Sequence, residues 1–483
     1  MPCTLTVLLC MKGGSGGSSP GNTGARLTLA DLQRRIEDEN KAVIDSPKPY
    51  VTVVYAGVFT ASPGQSDLTV SSIRELAGAY LAQMRNNRSK HPGEVNNSLK
   101  LRLLPANTGQ NMAFSAETAD RILDLARRAP SLIGVVGFGR NTEHSRAAIE
   151  RLIAAGLPII DTVNSSDQLP ALPHYYGPAS TNYQEAAATR AAVRIELKGR
   201  PISRLMLVHR KPGPSRDAYS SEIADDVTRA LKPRAVDPVN YTGTDDIAGG
   251  VKKVCEKAPA PLVYFAGRSE DLPGLMNGLV QGGCTRHRLV LLAGDDVTKT
   301  RFGTRPHEVP IPDNTVIYHT AFVHLPFLVA GNADQTNGFF LLARNLLGIG
   351  APHVRPNEPL LVDGQMALTY DATVALSQAA QDVFKGLGLT DTGPPRVTGS
   401  RSVTSGTVLL ALRHLHVREA ATGEIDFHRD PHEDNDPHKD DGPPKAPDNR
   451  GLTLIKVTLK TRTPICGCLN GGDAAPGLRP CPR

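Results

Sequence analysis

A short apolar run, LPII, gives way to DTVNSSDQLP, where Asp161, Thr162, Asn164, Ser165, Ser166 and Asp167 follow one another closely. Hydroxyls, amides and carboxylates at this density suit the hydrogen bonding of a small polar molecule. A second stretch of the same kind, GFGRNT, ends in Asn141 and Thr142. In an open α/β sheet, ligands bind outside the carboxyl ends of the strands. There the loops open helices, whose free N–H groups and partial positive charge suit a carboxylate. The same residue types are also good helix N-caps, so capping and binding both stay open here, and one residue can do both.

Other chemistries find less support. No Ser-His-Asp order, nucleophile elbow or HExxH points to an enzyme. No GxGxxG or Walker loop opens a helix, and no cofactor is expected. In HRDPHEDNDPHKDDGPPKAPDNR, the residues Asp434, Asp436, His438 and Asp440 alternate as in a calcium loop. Lys439 stands where the sharp turn needs Gly, and no Glu closes the loop. A solvated loop is the expectation. Cys466, Cys468 and Cys481 fall one ligand short of a closed zinc site, so they read as thiols in a loose tail and no metal is expected. The net charge of +6 over 483 residues is scattered, and it brings no expectation of a nucleic-acid partner.

The elements that must position these loops belong to a chain too long for one core. With no Trp and 5% aromatic residues, its interior must rest on Leu, Val, Ile and Ala. Helical periodicity covers 27–44, 71–84, 117–128 and 145–155. Apolar strand-like runs lie at 50–59, 99–104, 131–138 and 157–160. This alternation predicts a parallel sheet flanked by helices. The rhythm restarts after YYGPAS, with strands in RLMLVHR, AVDPVNYTG, PLVYFAG and RLVLLAG and helices at 219–231, 247–257 and 272–281. The expected class is therefore α/β, with two doubly wound lobes. Further helices are expected at 333–347, 363–384 (amphipathic) and 405–416, and strands in GEIDF and LTLIKVTL. Cys255 ends one helix and Cys284 the next, each just before a strand, so both lie at the amino edge of one sheet. They are close enough to pair, or remain as buried thiols.

No run approaches the ~20 apolar residues of a membrane span. The opening Leu5–Met11 run, followed by KGGSGGSSPGNTG, lacks the basic start of a signal peptide. It reads as a frayed end or, preferably, as the stub of a membrane anchor with its tether.

Several segments carry a resemblance. VVGFGRNTEHSRAAIERLIAAGLPIIDTVNSSD, YYGPASTNYQEAAA, LMLVHR with AYSSEIADDVTRAL, PLVYFAG, LVLLAGDD, DGQMALTYDATVAL and ATGEIDF follow in order. Across about residues 50–459 the chain resembles the type I periplasmic-binding-protein family, most closely its branched-chain amino-acid-binding (Leu/Ile/Val-binding) branch. The resemblance implies a bilobal, extracytoplasmic, cell-surface-tethered binder that closes on an amino acid or similar small polar ligand and does not catalyse. Its partner would be the permease of an ABC importer or, alternatively, a signalling protein for which it senses the ligand. Residues 1–49 would be a tether and helix. Lobe one would take 50–176 with 321–420, and lobe two 177–320 with 421–459. Residues 460–483 would be a tail.

The same resemblance places Asn141, Thr142, Asn164 and Ser165 as ligand contacts of lobe one. It places Tyr219 and Asp295 as contacts of lobe two, with Ser165 on the ligand's carboxylate and Asp295 on its ammonium. Arg268 departs from the family pattern, which often has an aromatic or small residue there, and Arg140 is also unexpected. Either the two arginines select an acidic ligand or they point to solvent.

Overall fold

The computed structural model describes residues 27–61, 66–88, 99–211, 217–258, 261–305, 308–323, 337–348, 363–388, 403–418, 420–427, 451–459 and 461–469. The acidic insert and the opening apolar run lie outside them. No described helix is long and apolar enough to cross a membrane.

Lobe one opens with α1 (Leu29–Asp45), β1 (Tyr50–Gly57), α2 (Ser66–Arg88), β2 (Lys100–Asn107), α3 (Ser115–Arg128), β3 (Leu132–Gly137), α4 (Glu143–Ala154), β4 (Ile159–Ile160) and β5 (Tyr175–Tyr176). The strands form a parallel sheet in the order β2-β1-β3-β4-β5. Strands buried on both faces read as continuous apolar runs, as VTVVYAG does.

The first strands of lobe two are β6 (Leu205–Arg210), β7 (Val236–Tyr241), β8 (Leu262–Ala266), β9 (Leu289–Ala293) and β10 (Thr315–Ala321). Around them pack α5 (Asn182–Leu197), α6 (Tyr219–Leu231), α7 (Thr244–Lys257) and α8 (Leu272–Gln281). The chain then returns to lobe one with α9 (Asn337–Leu347), α10 (Gln365–Gly386), α11 (Ser405–Leu412), β11 (His416–Val417) and β12 (Ile425–Asp426). Last, β13 (Gly451–Val457) and β14 (Arg462–Leu469) add antiparallel strands to lobe two, giving the order β14-β13-β10-β9-β8-β6-β7. The expected α/β class with two helix-flanked, mainly parallel sheets is the observed one.

Several boundaries move. Helix α1 belongs to lobe one: Leu32 and Ile36 enter its core, and the Asn40 side chain donates to Leu103 O at 2.7 Å and accepts the Leu103 N–H at 3.1 Å. Ala421, Ile425 and Phe427 pack into the lobe-one core, so the last crossing to lobe two begins after them. Their position is tied down by Asp371 on α10, which accepts the Ala421 and Thr422 N–H groups. The expected tail begins instead as the edge strand β14, whose Cys466 is buried and disulfide-bonded. Pro464 masks this strand in the sequence, and it sits where the register with β13 shifts, a place that tolerates proline.

The helix α10 is buried nearly all round rather than along one stripe, because it lies between the sheet, α2 and α11. Gly78 permits its close approach to α2: a Cβ there would fall 2.0 Å from Met366 O. Gly78→Ala is expected to cost about 1–3 kcal/mol, since two backbones must separate in a packed core. Urea unfolding checks this, and an unchanged midpoint would deny the close crossing.

Cys255 and Cys284 form a disulfide, with Cα atoms 5.3 Å apart. It ties α7 to the turn after α8 at the amino edge of the lobe-two sheet.

Candidate functional site

Strand β3 leaves the sheet at Gly137 and Phe138, with φ of 118° and 59°. A Cβ on Gly137 would lie 2.2 Å from Ala56 O, so only glycine allows this turn. The chain then lays Gly139–Asn141 along the carboxyl edge and enters α4. Thr142 is the N-cap: its Oγ1 accepts the Ser145 N–H, and Ser145 Oγ accepts the Thr142 N–H. Strand β4 ends similarly in the 161–167 loop. Asn164 fixes that loop by donating to Phe138 O at 3.2 Å and accepting the Ser166 N–H at 3.2 Å. Asn141 donates to Ser166 Oγ at 2.8 Å and so joins the two loops.

Lobe two faces them directly. The Asn141 carbonyl accepts the Ala218 N–H at 3.0 Å. Glu222 on α6 accepts the Asp167 N–H at 3.1 Å and the Ser166 hydroxyl at 3.2 Å. Arg140 reaches Glu270 at 3.4 Å. Burial pushes Glu222 above the ordinary carboxylate range. Arg140 is thus neither in bulk solvent nor unpaired.

Between the lobes lies a cavity of about 10 Å³, lined by Gly139, Asn141, Val163, Asn164, Ser165, Ser166, Tyr219 and Arg268. That is room for about one water molecule, so a larger molecule enters only if the lobes separate. Five of the seven expected contacts, Asn141, Asn164, Ser165, Tyr219 and Arg268, meet here from both sides. Thr142 does not line the cavity; its side chain is spent on capping. Asp295 does not line it either. The Asp295 N–H donates to Glu185 at 2.7 Å, on the side where Gly294 abuts the Tyr219 hydroxyl. Burial and the neighbouring Asp296 push the Asp295 carboxyl up to about 6, and burial beside Asp295 pushes Glu185 well above its ordinary range.

Arg268 is the organised cation of the cavity. Its Nε and Nη2 donate to the two oxygens of Asp217 at 2.9 and 2.7 Å, and Nη1 to Asp296 at 3.2 Å. Its guanidinium carbon lies 4.1 Å from the Tyr219 ring centroid, a cation–π contact. Lys299 adds a bond to Asp296 at 2.7 Å. Burial opposes charge on both aspartates. The cations prevail: Arg268 holds Asp217 below its usual range, and Lys299 with Arg268 holds Asp296 well below its own.

Sequence reasoning missed Asp217, Asp296, Glu222 and Glu270. It also missed Glu75 on α2, which accepts the Tyr55 and Thr162 hydroxyls behind Gly139 and is raised by burial to about 7. The only signal for Asp217 and Asp296 was their nearness to Tyr219 and Asp295 in RDAY and GDD.

A larger depression, about 370 Å³, lies at the amino edge of lobe two and includes Arg288 and Lys456. Both cations already pair with Glu196, at 2.5 and 3.7 Å. It is remote from the lobe-facing loops.

No family model and no curated protein matches the sequence. Solved structures do match. A leucine-binding protein of Thermotoga maritima aligns with a TM-score of 0.59 at 13% identity, over 87% of this chain and 99% of its own. A branched-chain amino acid transporter substrate-binding protein of Streptococcus pneumoniae, solved with isoleucine, aligns at 0.58 and 14% identity, over 87% and 99%. An ABC transporter substrate-binding protein of Desulfitobacterium hafniense, solved with Leu, gives 0.54 and 15% over 86% and 99%. At these identities the likeness is one of fold: the chain has the type I periplasmic-binding-protein fold.

Proposed function

We propose that this protein is a solute-binding protein that closes its two lobes on an amino acid or a similar small polar ligand, binding without catalysis. One observation carries the reading: hydrogen-bonding residues from both lobes converge on one cavity at the carboxyl edges of the sheets, where open α/β sheets bind ligands. Asn141, Asn164 and Ser165 serve on lobe one, and Tyr219 and Arg268 on lobe two. A ligand that touches both lobes favours the closed form because only that form gives it both sets of contacts. The neighbours named above supply the further reading that the ligand is passed to an ABC permease. The Cys255–Cys284 disulfide supports an extracytoplasmic setting, since such bonds persist in oxidising compartments.

A thermal-shift screen of amino acids, amides, short carboxylates, peptides and sugars tests the reading. A true ligand at 100 times its Kd adds about 2.7 kcal/mol to the folded state. A hit should also compact the protein in small-angle scattering. A screen with no stabilising member would end the proposal.

A further inference from the structure

We infer that the ligand is a short-chain carboxylate read by Arg268 and Ser165, and that an α-ammonium group is not recognised; the inference rests on the solute-binding reading above.

Two side chains that line the cavity, Arg268 and Ser165, keep donors without partners among the described residues. An arginine carries five N–H donors in a planar fork. Three N–H groups of Arg268 bond to Asp217 and Asp296. The other two have no partner among the described residues, on a side chain that lines the cavity. The two aspartates and the Tyr219 ring hold the fork in place, so a ligand need not order it. Across the cavity, Ser165 is buried, its carbonyl accepts the Asn182 N–H, and neither its hydroxyl nor its own N–H has a partner among the described residues. Both ends therefore offer unpaired donors, and a carboxylate offers the acceptors that match them.

The carboxylates that reach the cavity-lining residues are engaged. Asp217 is bonded twice to Arg268. Asp296 takes Arg268, Lys299 and the Ser269 N–H. Glu222 takes Ser166, the Asp167 N–H and Asn182. Glu270 faces Arg140, and Glu75 holds Tyr55 and Thr162. Asp295 lies beside Glu185 and outside the cavity lining. An ammonium entering this cavity would meet the Arg268 cation and find no unpaired anion, which is costly in a desolvated place. The apolar lining amounts to Val163 and the Tyr219 ring, too little to cup a long side chain.

The test uses the full chain and two matched sets: propionate, L-alanine and L-alaninamide; and 4-methylpentanoate, L-leucine and L-leucinamide. Calorimetric affinities should place at least one ammonium-free carboxylate level with or above its amino acid, with both amides silent. Arg268→Lys keeps the charge and loses the fork, and should weaken that carboxylate at least ~10-fold. Because Arg268 also neutralises two buried aspartates, Ser165→Ala is the second variant. It leaves that cluster intact and should weaken the carboxylate ~3-fold or more, while stability without ligand is unchanged.

An amino acid bound tenfold more tightly than its deaminated partner overturns the inference and leaves the solute-binding reading standing. Full affinity in both variants overturns it likewise. Silence from all six compounds also overturns it, and the broader screen described above then decides separately whether the protein binds solutes at all.

Discussion

Replacing Cys255 and Cys284 together by alanine should lower the stability of the protein by about 3–4 kcal/mol. The pair closes a loop of 29 residues, and the loss of loop entropy in the unfolded chain for that length comes to about 3.6 kcal/mol. Both sulfurs are buried, in residues 1% and 2% exposed, so lost packing adds to the entropic effect. The bond sits at the amino edge of the lobe-two sheet, whereas the cavity sits at the carboxyl edge, so ligand affinity should stay unchanged. Urea unfolding of the double variant decides the matter more cleanly than a reductant, because Cys466 is disulfide-bonded too. A loss below ~1 kcal/mol would mean that the unfolded chain is already constrained in this region.

Asp161→Asn should stabilise the protein at pH 8 by roughly 2–5 kcal/mol and do little at pH 4. Asp161 directly follows β4 and is 2% exposed. It accepts the Tyr175 hydroxyl at 2.5 Å, while its Oδ1 is buried without a partner among the described residues. The first crossing to lobe two packs on it: a Cβ on Gly177 would fall 2.7 Å from that oxygen. Burial raises its pKa to about 8, from an ordinary 3.8. The folded state therefore keeps a proton that the unfolded state releases. The associated stability is complete below about pH 4 and drains away as pH climbs to 8. Asparagine keeps the shape and carries no charge at any pH, so it escapes the loss. A tenfold difference in proton affinity between folded and unfolded chains corresponds to about 1.36 kcal/mol. Relaxation of the site around the new charge keeps the expected gain within the lower range given. Parallel stability curves for the two proteins from pH 4 to 8 would sink this account.

The two lobes were legible because their strands are buried on both faces and their helices on one, so apolar runs and 3.6-residue periodicity alternate cleanly. Helix α10 broke the rule: contact with α2, α11 and the sheet at once removed the polar stripe from which a helix face is read. The return at Ala421 was misplaced for a different reason. Nothing in ATGEIDF says that Asp371, fifty residues earlier, holds two of its N–H groups.

In the site, Asn141, Asn164 and Ser165 were readable because short polar residues directly follow apolar strands, which in this fold means the carboxyl edge. Lobe two was harder. Asp295 and Asp296 are chemically identical neighbours, and the tight turn after β9 sends one toward Glu185 and the other toward Arg268. Only tertiary placement separates them. Arg268 stood out by departing from the family pattern, but its meaning depends on Asp217, a residue fifty-one positions away.

The interleaving of the lobes has a consequence for how the chain acquires its structure. One face of the lobe-one sheet, with Val51, Val53, Tyr55 and Ile133, is covered in part by Met366, Tyr370, Leu376 and Val408, residues separated from it by most of lobe two. A ribosome making this chain therefore releases a half-built first lobe and must make β6 to β10 of the second before α10 and α11 exist to cover it. Lobe two in turn awaits Leu454 and Ile455 on β13. Contacts of such long range raise contact order and slow folding, and the part of the sheet face that α1 and α2 leave uncovered is aggregation-prone in the interval. Neither lobe can be cut out as a contiguous piece, so a fragment ending near Tyr176 would carry a sheet with one face only partly covered, by α1 and α2.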